Sequence, residues 1–310
     1  MNFYHLIFLI IFSSAPSLFW LFFYYYYFPR FTTPKYFLGI LFFLGMASAG
    51  IGSLINQGVL RLLPNFVFNA FQKFPPDLST LKTSDYLIVF LLMFLLVAPV
   101  EELLKFLAIK LAIGKKSRHL DQIIDGIKFG IVAGLGFALV ENAIYFYQPL
   151  LAKGGVFFFK LFLVRFFIST LAHSLYTGIM GYYIGLSRLY RLHKNYLLWK
   201  GIIMAITMHG IFNFFLLINL DFFSIGVLII LLWFMIKWGR DRESLESFIA
   251  AEKYQKIFVP VFSEKKEIES FLFRRRIRYD VVKKLNLCPF CFRENKAKDV
   301  CPHCGIKKPL

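Results

Sequence analysis

Seven apolar stretches, most of them long enough to cross a bilayer as a helix of about 20 residues, dominate this 310-residue chain. They run over 3–28, 36–60, 86–113, 123–147, 157–186, 196–220 and 222–238. Hydrocarbon offers backbone polar groups no partner, so such segments fold as helices with their hydrogen bonds internal. The expected fold is therefore all-α, a polytopic transmembrane helical bundle of about seven spans. Composition agrees. The chain is 58% hydrophobic and 17% charged, against about 25% charged in a soluble domain. A soluble chain of this kind would expose large apolar patches. A disordered chain, a secreted disulfide scaffold and an ordinary cytosolic enzyme are excluded.

Two spans depart from the simple pattern. The fifth is over-long, with Lys160 and Arg165 near its start, which places that start in the interface or tilts the helix. The seventh is short and follows a tight turn at 219–221, which suits a hairpin of the last two spans. The first span lacks a positive leader, and Ser13, Ser14 and Ala15 precede most of its apolar run. It reads as a retained helix, not a signal peptide.

Lys and Arg in short loops set orientation. Lys115, Lys116 and Arg118 follow the third span, and Arg188, Arg191, Lys194 and Lys200 surround the loop after the fifth. Arg30 and Lys35 follow the first, while the alternate loops are poorer in cations. The expectation is a multi-pass protein of the cell membrane, amino terminus outside and carboxyl tail in the cytosol. The net charge of +18 fits that topology and anionic lipid better than nucleic acid.

Ionisable residues inside a span cost several kcal/mol and mark function by default. The third span carries Pro99, then Glu101 and Glu102, with Lys105 within helical reach of both. Adjacent carboxylates in an apolar setting are the material of a general base, and Pro99 can kink the helix just before them. The bland alternative is a Glu–Lys contact at a helix interface, but two glutamates need more than one lysine. The fourth span holds Gly126, Gly130, Gly134 and Gly136, suited to close packing, then Glu141 and Asn142. Glu141 has no Lys or Arg within four residues, so its partner must come from another span. Asp125 stands about 24 Å along the helix from Glu141 and can pair with Lys128, a structural role. The fifth span carries His173, and the sixth His209 and Asn213, which share a helix face. One histidine in a core is usually a satisfied hydrogen-bonder. Polar clusters on four consecutive helices point instead to one shared site. Depths counted along the helices disagree: Glu101 lies about 21 Å from the outer end of its span and Glu141 about 9 Å.

These residues resemble the PrsW family of intramembrane proteases, within the superfamily of the CAAX prenyl endopeptidases. The resemblance rests on Glu101-Glu102-x-x-Lys105, on Asp125-Gly-x-x-x-Gly followed by Gly136-Phe137-x-x-x-Glu141-Asn142, on His173-Ser174, and on His209-Gly-x-Phe-Asn213. Ala15-Pro16 also looks like the family's first helix, so the likeness covers about 15–215. It implies hydrolysis of a peptide bond in a membrane-protein substrate, such as an anti-sigma factor. Carried over, Glu101 or Glu102 activates the water with help from Glu141, which stands where the prenyl endopeptidases have a His. His173 is a further polar member, and His209 and Asn213 stabilise the oxyanion. Lys105, Asp125 and Asn142 support them. Such proteases have been described as metal-dependent and as glutamate-dependent. Carboxylates and imidazoles suit Zn²⁺, but no His-Glu-x-x-His occurs, and the metal-free reading is preferred.

The tail adds a different chemistry. Cys288, Cys291, Cys301 and Cys304 form two Cys-x-x-Cys pairs nine residues apart. Four thiolates at this spacing form a structural Cys₄ zinc ribbon, suited to holding a cytosolic protein partner. The expected domains are a protease domain at 1–238, a helical and basic linker at 239–284 and the ribbon at 285–310. Rival functions are a proton-coupled transporter, since buried Glu and His also relay protons, and an inactive membrane scaffold presenting the ribbon.

Overall fold

The structure, a computed structural model, describes residues 3–27, 33–67, 82–114, 120, 123–152, 154–189, 194–220, 222–233, 235, 282–283 and 286–288. Every long apolar stretch forms a helix. They are α1 (Phe3–Tyr27), α2 (Lys35–Leu62), α3 (Thr83–Ile113), α4 (Ile123–Ala152), α5 (Gly154–Val164 continuing through Thr170–Leu189), α6 (Lys194–Leu217) and α7 (Phe222–Trp233). Six of them are long and apolar enough to cross a membrane. The seventh expected span is a shorter apolar helix over its described residues. Large apolar side chains such as Leu54, Leu95, Phe159 and Ile203 stand exposed on the bundle, as they would toward lipid.

The central helix is α4. Its apolar window is 83% buried, against 44% or less for the other spans, and it packs on α1, α2 and α5. Glycine makes that possible. A Cβ on Gly126 would strike the backbone of Gly181, one on Gly130 that of Thr177, and one on Gly134 that of His173. The contacts advance four residues at a time on both helices, so one face of α4 seats against one face of α5 at backbone distance. Gly136 meets the backbone of Phe42 on α2, and Gly45 of α2 meets that of Ala133. This close seam fixes the depth of His173 relative to α4.

Two of the helices that present ionisable residues to the centre, α3 and α5, are each interrupted by one wider turn. In α3 residues Met93–Val97 are π-helical, and Ala98 N–H bonds back to the carbonyl of Met93. Pro99 follows at once, and a π turn is one way to accommodate a carbonyl that proline leaves without its donor. The kink expected at Pro99 is thus a change of helical pitch. Glu101 and Glu102 come within the next turn. In α5 residues Arg165–Ser169 are π-helical, and Thr170 N–H bonds to the carbonyl of Arg165. No proline is involved. Side chains use the carbonyls instead: Thr170 Oγ1–H donates to Arg165 O at 2.7 Å, and Trp20 Nε1–H of α1 donates to Phe166 O at 2.8 Å.

By internal contacts the chain divides into two compact units, Met1–Met235 and Ile236–Leu310. In the second, Val282, Leu287 and Cys288 are buried. Cys291, Cys301 and Cys304, and nearly all of the expected linker, lie outside the described residues.

Candidate active site

The buried ionisable residues of α3, α4, α5 and α6 meet in one cluster. Glu102 and Lys105, both fully buried, form an ion pair at 2.6 Å across one turn of α3. Lys105 Nζ also donates to His173 Nδ1 of α5 at 3.0 Å. Because Nδ1 accepts, the proton of that imidazole is on Nε2, which donates to Glu141 Oε2 of α4 at 2.5 Å. On the other side, His209 Nδ1–H of α6 donates to Glu102 Oε1 at 2.8 Å. Its Nε2 accepts from Asn213 Nδ2 at 2.9 Å, four residues on. One chain of hydrogen bonds thus runs Asn213–His209–Glu102–Lys105–His173–Glu141 through four helices. Aromatic walls close around it. Tyr176 stacks on His209 with ring centroids 4.7 Å apart, and Lys105 Nζ lies 3.9 Å above the centre of the Phe137 ring.

The three carboxylates differ in their partners. Glu102 has Lys105, and Glu141 has Arg165, whose Nη2 donates to Glu141 Oε2 at 2.6 Å. Neither cation forms an ion pair with Glu101. Its Oε1 accepts a long bond from Asn56 Nδ2 of α2 at 3.4 Å. Its Oε2 is buried without a hydrogen-bond partner and lies 3.8 Å from His209 Nε2. A carboxylate oxygen left open beside an imidazole is where a further group can be received.

A metal ion is one such group. Glu101, His173 and His209 each offer one ligand atom, and these lie within 4.8 Å of one another. Two imidazoles and a carboxylate are the donor set of many catalytic zinc sites. The open Oε2 of Glu101 suits it, so the residues fit a metal after a modest approach of the side chains.

The cluster gathers Glu101, Glu102, Glu141, His173, His209 and Asn213, with Lys105 and Asn142 among them. Glu101 and Glu141 belong to one cluster, although at 1.5 Å per residue they still stand at unequal distances, about 27 Å and 17 Å, from Thr83 and Ala152 at the ends of their helices. Helix α4 runs on to Ala152, beyond the apolar run that ended at 147, so Glu141 is farther from its helix end than the sequence implied. Asp125 does not join them. It lies near the start of α4, buried, with Lys128 Nζ 3.9 Å away. The partner that Glu141 required from another span is Arg165. Its expected place at an interfacial helix start is corrected: it is buried in the bundle because the side chain is neutralised by Glu141 and bonded to Asn142 Oδ1 at 2.6 Å. Asn56 and Tyr176 were also not singled out by sequence. An Asn in an apolar α2 and a Tyr four residues before Met180 on the His173 helix are weak signals by themselves.

The profile of the PrsW family, described as intramembrane metalloproteases, matches residues 33–238. The chain belongs to the PrsW family of intramembrane proteases. The match takes in α7 and begins after α1, so Ala15-Pro16 lies outside it. Protease PrsW of Shouchella clausii is 32% identical over 154 residues, 49% of this chain and 67% of that protein. Protease PrsW of Clostridioides difficile is 27% identical over 158 residues, 49% of this chain and 61% of its own length. Protease PrsW of Bacillus subtilis is 28% identical over 149 residues, 47% and 64% respectively. The chain thus spans about three fifths to two thirds of these relatives. No solved structure matches.

Proposed function

We propose that this chain is an intramembrane endopeptidase in which Glu101 activates the attacking water. The observation that carries the reading is that Glu101, its Oε2 open beside His209, has no cation, while Glu102, whose Oε2 is also without a hydrogen-bond partner, and Glu141 are each paired with one. A water held between Glu101 and Glu141 would give one proton to Glu101 as its oxygen attacks the scissile carbonyl carbon. Asn213, whose amide rests on His209, is placed to turn its N–H toward the developing oxyanion. His209 can add a second donor once its Nε2 carries a proton, with Glu102 at Nδ1 as the counter-charge. The C–N bond then breaks, and Glu101 returns the proton to the leaving amine. A bundle that excludes bulk water strengthens each of these interactions.

His209→Ala and Asn213→Ala are expected to lower kcat about 10²- to 10³-fold, with a much smaller change in KM, because an oxyanion donor acts mainly in the transition state. Cleavage of a reconstituted single-span reporter protein measures this. A rise in KM with unchanged kcat for both variants would assign these residues to substrate binding instead.

A second reading has an observation of its own, the donor set Glu101, His173 and His209. These residues would hold a metal ion, which supplies a Lewis acid and a more acidic bound water. Glu141, Lys105 and Asn213 would then orient the ligands. The family description as metalloproteases favours it.

The carboxyl tail is read as a Cys₄ zinc ribbon in the cytosol, a structural site that recruits a partner. Substrate class, orientation and ribbon belong to the same proposal: a single-span membrane protein cut within or beside the bilayer, the amino terminus outside. Membership of the PrsW family speaks against the proton-coupled transporter. Metal analysis separates the two sites. Cys288→Ser is expected to lower bound zinc by about one per chain without changing cleavage of the reporter. Metal that persists in that variant and disappears in the Cys288→Ser, His173→Ala, His209→Ala triple variant would establish the second reading. No zinc in the wild-type protein would overturn the ribbon.

A further inference from the structure

Arg165 takes no part in the chemistry above, yet its side chain is one of the most firmly held in the bundle. It is 5% exposed, at the first residue of the π-helical turn in α5. Its Nε–H donates to Asn142 Oδ1 and its Nη2–H to Glu141 Oε2, both at 2.6 Å. The guanidinium lies 4.2 Å above the centre of the Tyr145 ring. Three residues of one face of α4 and its next turn, Glu141, Asn142 and Tyr145, thus form its seat. The backbone is fixed as well. Thr170 Oγ1–H donates to Arg165 O, and Asn142 Nδ2–H donates to Thr170 Oγ1 at 3.1 Å. Arg165, Asn142 and Thr170 therefore close a ring of hydrogen bonds. The next carbonyl, Phe166 O, is taken by Trp20 of α1, a helix outside the family match.

The oxygen that Arg165 holds, Glu141 Oε2, is the same one that accepts His173 Nε2–H. The rigid, planar guanidinium sets one N–H on Glu141 and another on Asn142, so it fixes the direction of the carboxylate contact as well as supplying charge. We propose that Arg165 is a positioning residue for this site. It aims Glu141 at His173 and thereby holds that imidazole in the Nε2–H tautomer, leaving Nδ1 to accept from Lys105. Its effect reaches the reaction only through Glu141 and His173. The π turn is the device that allows this. The wider turn at 165–169 seats the arginine against α4, with Arg165 O accepting from both the N–H and the hydroxyl of Thr170 and Phe166 O accepting from Trp20. The inference rests on the reading of this cluster as the hydrolytic site, but the first readout of its test does not depend on turnover.

The test uses the full-length protein with ¹⁵N-labelled histidine in lipid nanodiscs, His173 being assigned by loss of its signals in His173→Gln. In the wild type the His173 ring is expected as a single Nε2–H tautomer and His209 as Nδ1–H. In Arg165→Gln the His173 signals are expected to shift to a mixture of tautomers while those of His209 stay in place. Should Arg165→Gln fail to fold, Arg165→Lys keeps the charge, lacks the planar guanidinium and is expected to give the same mixture. An unchanged His173 spectrum in a folded Arg165 variant overturns the proposal. Cleavage of a single-span reporter supplies the second readout, a fall in kcat of about ten- to a hundredfold with little change in KM, the usual scale for residues that orient a ligand or base. Unaltered kcat in a folded variant also overturns it. Full cleavage by Glu101→Gln would instead remove the hydrolytic reading, and the His173 spectrum would still decide the role of Arg165.

Discussion

Glu101→Gln is expected to lower cleavage of a single-span membrane reporter by about 10²- to 10⁴-fold, the usual cost of losing a general base, while the protein accumulates and folds as the wild type does. The expectation separates the two adjacent glutamates. Glu102 is fully buried and already accepts from Lys105 at 2.6 Å and His209 at 2.8 Å. Glu101 makes one long bond with Asn56 and has no cation, although each of the two glutamates leaves its Oε2 without a hydrogen-bond partner. Glutamine at 101 keeps the size of the side chain and can still bond to Asn56, so packing is preserved and only basicity goes. Glutamine at 102 should behave differently, since it removes the counter-charge of a buried lysine and so damages stability together with activity. Rates and thermal midpoints of the two variants measure the contrast. If Glu101→Gln cleaves at the wild-type rate, Glu101 is not the base. If in addition it binds no less metal than the wild type, both mechanisms lose their central residue.

Much of this site could be read in the chain before any coordinate, and the reason is the solvent. In hydrocarbon a carboxylate or an imidazole needs a purpose, so Glu101, Glu102, Glu141, His173 and His209 stand out from the apolar background. The same reasoning required a partner for Glu141 from another helix. Arg165 escaped because it sits near the start of an over-long apolar run, where cations normally reach for the interface. Helical periodicity also misplaces it. A π turn at 165–169 rotates everything before it against everything after it, and no composition signal marks that turn. Pro99 did mark the equivalent turn in α3. The counted depths were a poor guide to which residues meet, because apolar composition does not fix where a helix ends. The boundary of α4 was set where apolar residues thin out at 147, yet the helix continues to Ala152. The glycines of α4 were legible as a packing face, but only coordinates pair Gly130 with Thr177 and Gly134 with His173.

Lys105→Met should be the most destabilising single change in the bundle. The lysine is 0% exposed, and its ammonium group joins Glu102 of its own helix to His173 of α5 beneath the faces of Phe137 and Tyr176. Methionine fills a similar volume, so cavity formation contributes little. What remains is a buried Glu102 carboxylate facing a single imidazole donor, and an imidazole at His173 whose Nδ1 has lost its donor. Breaking a buried ion pair by removing one member typically costs about 3–5 kcal/mol, because the remaining charge is uncompensated. The expected result is a low yield of folded protein and a clear fall in the thermal midpoint in detergent. A second substitution tests the cause. Adding Glu102→Gln to Lys105→Met removes the stranded charge, so the double variant should be more stable than Lys105→Met alone, although catalytically impaired because His209 has lost its counter-charge. Such non-additivity is the signature of a direct pair. A double variant that loses the sum of the two single effects would mean that Lys105 contributes by packing against Phe137 and Tyr176, and that the Glu102 carboxylate is held well enough by His209 without it.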